Sequence, residues 1–107
     1  MILYNVTINI ESDVHDAWLK WMKETHLPMV MATGKFVSYS MYKILSRQED
    51  ETGETYSIQY LAEDMDSYEE YRQKYAPALQ DETMRCFTGK FVAFRTVLEL
   101  EHEYQEV

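Results

Sequence analysis

The pentapeptide Thr33-Gly34-Lys35-Phe36-Val37 recurs unchanged as Thr88-Gly89-Lys90-Phe91-Val92. In each copy the glycine stands where a helical pattern ends and an alternating pattern begins, the place where a left-handed residue closes a helix. Each copy follows an amphipathic stretch that contains one of the two prolines, Pro28 or Pro77. A chain that leaves a helix for a strand twice in the same words is constrained to two similar halves, 2–45 and 54–100, each strand-helix-strand.

The remaining patterns fill in those halves. Ile2, Tyr4, Val6, Ile8 and Ile10 alternate with Leu3, Asn5, Thr7 and Asn9, the period of a strand with one buried face. Ser12 and Asp13 are N-cap residues for a helix whose apolar face is Val14, Trp18, Trp21, Met22 and Thr25. Pro28 either kinks this helix at His26-Leu27 or starts a second short one. Residues 35–46 alternate again, with Val37, Tyr39 and Met41 on the core face and Phe36, Ser38, Ser40 and Tyr42 opposite. After an acidic turn, 55–62 form a third strand with Tyr56, Ile58, Tyr60 and Ala62 inward. Asp66 to Glu69 read as a capping box, and Tyr68, Tyr71, Tyr75, Leu79, Thr83 and Cys86 mark the second helix face. Residues 91–100 form the fourth strand, with Val92, Phe94, Leu98 and Leu100 assigned to the core.

The expected architecture is a ferredoxin-like α+β sandwich spanning residues 1–107, with a four-stranded antiparallel sheet in order 4-1-3-2 and two helices on one face. The face left open would carry Leu3, Asn5, Thr7, Phe36, Tyr42, Gln59, Leu61, Phe91, Val97 and Arg95 among others. A surface that apolar calls for a partner, and a second copy of the chain meeting it sheet to sheet is the simplest closure. Asn5, Thr7, Tyr42, Gln59 and Arg95 are the candidate dimer contacts.

Composition excludes several classes. With 19 acidic and 10 basic residues the formal charge is -9, which repels phosphate backbones and anionic membranes. The acids cluster at 49–54, 63–70 and 99–106, on turns, a helix start and a tail rather than on the strands. No apolar run is long enough to span a membrane, and no signal peptide is read, so the expected location is cytoplasmic. The single cysteine, Cys86, admits no internal disulfide and reads as a buried, inert thiol. His15, His26 and His102 have no metal-ligand spacing, so no metal is expected. No glycine-rich phosphate loop is present and no cofactor is expected. Gly89 to Phe94 faintly echo an RNA-binding strand, but on the wrong strand and in an acidic chain.

The segments Trp18 to Met22, His26-Leu27-Pro28, Val30 to Phe36 and Gly89 to Thr96 together resemble a family of small uncharacterised bacterial proteins, a domain of unknown function. That family is similar in fold to the dimeric α+β barrel superfamily, which includes antibiotic-biosynthesis monooxygenases, haem-degrading monooxygenases and muconolactone isomerases. The resemblance implies fold and dimerisation but no reaction. The haem-degrading branch relies on a first-strand Asn, a mid-chain Trp and a haem-ligating His on the second helix. Asn5 matches loosely, but no Trp follows Trp21 and the second helix has no His.

His26 is the best single candidate for acid–base work, being titratable near neutrality and beside a helix break; the competing reading is a structural His near a helix end. Trp18, Trp21, Tyr60, Tyr71 and Tyr75, with Tyr4, would either line an aromatic ligand pocket between helices and sheet or form an ordinary aromatic core. Arg95 would either bind an anion or make an interface ion pair. Two functions follow. One is a homodimer that binds or transforms a small molecule in the aromatic pocket, without a metal. The other is a non-catalytic dimerisation or interaction module. A genuine cavity beside His26 would favour the first, and a solid core the second.

Overall fold

The computed structural model describes residues 1–106; Val107, the last residue of the expected domain, lies outside the described residues. The chain runs β1 (Ile2–Ile10), α1 (His15–Trp21), α2 (Leu27–Ala32), β2 (Ser38–Lys43), β3 (Glu54–Ala62), α3 (Met65–Lys74), α4 (Ala76–Cys86) and β4 (Phe91–Glu99). The four strands form one antiparallel sheet in the order β2-β3-β1-β4. The helices cover one face of it. The core lies between, and its largest fully buried side chains are Trp18, Ile10, Met22, Leu27, Ile58 and Val30.

Each helical pass is broken once. A 3-10 turn at Ser12–Val14 leads into α1, and a π turn at Met22–His26 joins α1 to α2, with Pro28 in the first turn of α2. The missing N–H of a proline costs nothing at a helix start. The second pass breaks at Tyr75, after which Pro77 sits in the first turn of α4. Both prolines therefore begin helices rather than merely interrupt them. Gly34 and Gly89, the two copies of the repeat glycine, both adopt positive φ, 74° and 72°, as helix closure requires.

Several local expectations are corrected. Neither Ser12 nor Asp13 caps the first helix; Asp13 instead accepts a hydrogen bond from Lys90 Nζ at 2.8 Å, tying the helix entry to the start of β4. The cap of α3 is Asp64, whose carboxylate accepts from the Ser67 N–H at 2.8 Å, two residues before the expected box. Cys86 is exposed rather than buried, because Phe87 takes the core position at the end of α4.

The larger correction concerns strand phase. Phe36, expected on the open face, is buried against Tyr4, Tyr60 and Tyr71. It precedes β2, and a bend at Val37 separates it from the strand, so the alternation does not carry through. In β4 the two faces are exchanged. Ladder pairing sets Phe91, Ala93, Arg95 and Val97 opposite Ile10, Ile8, Val6 and Tyr4, which all face the helices. Val92, Phe94, Thr96 and Leu98 therefore occupy the open face. Directly opposed residues in an antiparallel pair share a face, and a slip of one residue exchanges every side chain. Arg95, expected at the dimer face, belongs to the helix side.

Candidate functional site

Exchange of the β4 faces creates the site. Ala93 is a small residue on the helix side of an edge strand, and it leaves space under α4. A cavity of about 330 Å³ opens there between helices and sheet. Its floor is Tyr4, Val6, Ile8, Ile58 and Tyr60 from the sheet. Phe91, Ala93 and Arg95 form its β4 side, Leu79, Gln80, Thr83 and Met84 its α4 side, and Met22, His26 and Tyr71 complete it. The volume is at the lower end of the roughly 300–1,000 Å³ typical of ligand pockets.

His26 reaches this cavity through the π turn. The wider turn, with its i→i+5 hydrogen bonding, brings residues five apart into proximity. Trp21 and His26 are five apart, and their rings stack with centroids 5.0 Å apart and 26° between planes. Trp21 is held from behind by Phe87 at 5.3 Å. Burial lowers the imidazole pKa to about 4, and the nearby Arg95 charge adds to the effect. His26 is therefore neutral near pH 7 and can accept a proton or a hydrogen bond.

Tyr4, Tyr60 and Tyr71 of the cavity lining form a continuous aromatic cluster with Phe36, which lies outside the lining, with centroid separations from 4.7 Å (Phe36–Tyr71) to 6.0 Å (Tyr4–Phe36). Burial pushes the phenols of Tyr4, Tyr60 and Tyr71 up, so they remain protonated and serve as hydrogen-bond groups rather than bases. At Tyr4 the Arg95 guanidinium partly offsets the effect of burial. Thr83 is buried, and its hydroxyl donates to the Leu79 carbonyl at 3.0 Å.

Of the five aromatic candidates, the structure brings Tyr60 and Tyr71 to the cavity. Trp21 stands behind His26 rather than in the lining. Trp18 is fully buried against Tyr56, and its indole N–H has no partner among the described residues. Tyr75 is half-buried at the α3–α4 break, outside the lining. Sequence reasoning missed Gln80, Thr83, Ala93 and Phe91 as cavity residues. The signal for Ala93 was its small size among the large side chains of β4, which carries meaning only once the strand phase is known.

Among the described residues the cavity lining contains one imidazole and no carboxylate or thiol. Elsewhere, Glu11 and Asp13 are drawn to Lys90, while His15 turns to Tyr56 at 2.7 Å and to Asp16. Among the described residues no group of three His, Cys, Asp or Glu side chains could hold a metal ion. None of the described helices is long and apolar enough to cross a membrane.

The open face is the second feature. At its centre Ser57 Oγ donates to Asn5 Oδ1 at 2.6 Å, Asn5 Nδ2 donates to Thr7 Oγ1 at 3.1 Å, and Gln59 Nε2 donates to Ser57 Oγ at 3.4 Å. Around this polar centre stand Tyr42, Val92, Phe94 and Leu98, 55%, 72%, 62% and 45% exposed. Among the described residues no strand residue directed to this face is charged, although charged residues make up 27% of the chain. Leu3, Leu61 and Leu98 continue the apolar surface into a groove beside the tail at residues 99–105.

An antiparallel four-stranded sheet in this order, with helices on one face and an aromatic cavity between them, defines a ferredoxin-like α+β protein. The chain belongs to a family described as a domain of unknown function, DUF4286, whose model matches residues 1–101. No curated protein matches it significantly. Solved structures with the same fold include SnoaB of Streptomyces nogalater, described as a cofactor-independent oxygenase, at 9% identity and TM-score 0.67, covering 98% of this chain and 97% of that one. A dimeric ferredoxin-like protein from an uncultured marine organism is 14% identical at TM-score 0.68, covering 99% and 100%. A Bacillus halodurans protein of the ethyl tert-butyl ether D (EthD) family is 13% identical at TM-score 0.69, covering 94% and 100%. At such identities the likeness is one of fold.

Proposed function

We propose that this protein is a homodimer in which each subunit binds a small molecule in the cavity between helices and sheet, with neutral His26 as its proton or hydrogen-bond acceptor. The observation that carries this reading is the cavity itself. An interaction module without a ligand has no need of a roughly 330 Å³ space beside a buried imidazole, because filling it with larger side chains would add stability. The interior is apolar and aromatic with a few convergent polar groups, the usual make-up of a ligand site. Its chemistry would be that of a base, phenol hydroxyls and one guanidinium, without a metal.

Dimerisation is supported by the uncharged open face and its exposed Phe94, Val92 and Leu98. The description of a fold relative as dimeric agrees with it. Two such faces packed together would remove these side chains from water and leave the acidic turns and tail outside.

Native mass spectrometry of freshly purified protein tests both parts. The expected spectrum is a dimer carrying a non-covalent small-molecule mass, which is absent from Ala93→Phe, a variant that fills the cavity. NMR of the wild type with a fragment library extends the test. A well-dispersed spectrum in which no fragment moves the signals of His26, Thr83 or Ala93 would overturn the ligand reading.

A further inference from the structure

A smaller recess of about 120 Å³ adjoins the cavity and is lined by Tyr4, Tyr68, Tyr71, Arg72, Gln80 and Arg95, with Ala76 at its edge. It shares Tyr4, Tyr71, Gln80 and Arg95 with the larger cavity. The two spaces are therefore adjoining parts of one site with different chemistry. The larger is walled chiefly by apolar and aromatic groups. The smaller gathers three phenols, an amide and two guanidinium groups.

The two arginines differ in availability. Arg72 is held by the Glu69 carboxylate, with Nη2 to Oε2 at 2.8 Å and Nε to the same oxygen at 3.1 Å. Arg95 makes no ion pair among the described residues; Lys20, Lys23 and Arg85 make none either, but of these four only Arg95 lines the cavity and the recess. Among the described residues no acid lines either space. One free guanidinium beside an acid-free, aromatic cavity matches one negative charge on an apolar body. A dianion such as a phosphate ester would need the second cation that Glu69 already occupies.

Resting on the ligand reading above, we infer that the natural ligand is a flat, apolar monocarboxylate, its aromatic or unsaturated body in the larger cavity beside His26 and its carboxylate on Arg95 in the smaller recess. The planar fork of arginine suits a carboxylate with two parallel hydrogen bonds. The phenol hydroxyls and the Gln80 amide are of the type that could supply the remaining donors. The acidic surface of the protein would slow the approach of such an anion, and Arg95 at the mouth is the local exception to that field.

The test uses matched acids and amides: 2-naphthoate with 2-naphthamide, and cinnamate with cinnamamide, titrated into the full chain by calorimetry, with NMR locating the site. In the wild type the acids should bind about tenfold more tightly than their amides. Arg95→Gln should abolish that ratio, and Arg95→Lys should retain part of it. Arg95 is solvent-exposed, so both variants should fold, and their circular dichroism spectra check this. Equal binding of acid and amide by the wild type, or a ratio that survives Arg95→Gln, overturns the carboxylate assignment and leaves the cavity reading standing. If neither member of either pair moves the cavity signals, the cavity reading falls and the carboxylate with it.

Discussion

Arg95 stands directly opposite Val6 in the ladder between β1 and β4, so its side chain shares the helix-facing side of the sheet with a buried valine. The guanidinium is thereby placed at the mouth of the cavity, close enough to His26 for its charge to disfavour the imidazolium. Had the pairing slipped by one residue, the same arginine would lie in the open face and Phe94 would lie in the cavity.

This placement predicts a clean separation of roles. Arg95→Glu should leave the proposed dimer intact, because the residue is not on the open face. Sedimentation velocity at tens of micromolar checks it, and conversion to monomer would contradict the β4 register.

The opposite result is expected on the other side of the strand. Phe94→Lys combined with Leu98→Lys puts two positive charges on each open face, and four in a face-to-face dimer. Such a dimer would have to bury uncompensated like charges, so dissociation to monomer is expected. Both positions are well exposed in the subunit, 62% and 45%, so the subunit fold should survive, as judged by an unchanged far-UV spectrum. A variant that still sediments as a dimer would place the interface elsewhere.

His26 makes stability depend on pH in a defined window. Its native pKa is about 4 against the ordinary 6.5, so between those values the unfolded chain holds a proton that the folded chain does not. Stability is then fully present above pH 6.5 and is lost as pH falls toward 4, by about 3.5 kcal/mol at full extent if each pKa unit carries ~1.4 kcal/mol. Urea unfolding of the wild type and His26→Gln across this window should show a steeper slope in the wild type, over the slope that the lowered carboxylates Asp13, Glu51, Asp64, Glu69 and Glu70 give to both. Parallel curves would mean that His26 is not held neutral.

The stacked pair offers a second measure of the same environment. Trp21→Ala removes the indole that covers the imidazole, lets water reach it and should raise the His26 pKa toward its ordinary value. NMR titration of the imidazole signals reads this directly, and an unchanged pKa would assign the burial to the cavity walls instead.

Trp18 separates the cost of lost packing from that of an unsatisfied donor. Its ring is fully buried, and its N–H has no partner among the described residues. Trp18→Ala should cost about 3–5 kcal/mol as a large-to-small core change. Trp18→Phe should cost much less, since it keeps an aromatic ring and removes an unsatisfied donor. Denaturant midpoints compare the two.

Whatever rests on contrast between neighbouring residues can be read directly along the chain. Ile2 to Ile10 alternate apolar with polar, as do Tyr56 to Ala62, and both strands and their buried faces were legible. The repeated glycines marked both helix exits, and the order strand-helix-strand, twice over, followed. The aromatic character of the region between helices and sheet was visible too, through Tyr60 and Tyr71. Tertiary structure decided where that contrast fails. In β4 both faces are apolar, Phe91, Ala93 and Val97 on one side and Val92, Phe94 and Leu98 on the other, so alternation carries no information about which is inside. Hydrogen bonding to β1, nearly ninety positions away in the chain, makes that choice. It turns Arg95 from a dimer contact into the charge at the cavity mouth. The π turn that brings His26 onto Trp21 is likewise a product of packing, because a single extra residue in a helical turn leaves no mark in the periodicity of so short a segment. The chain thus spelled out its layers, and long-range pairing decided which side of the last strand would build the site.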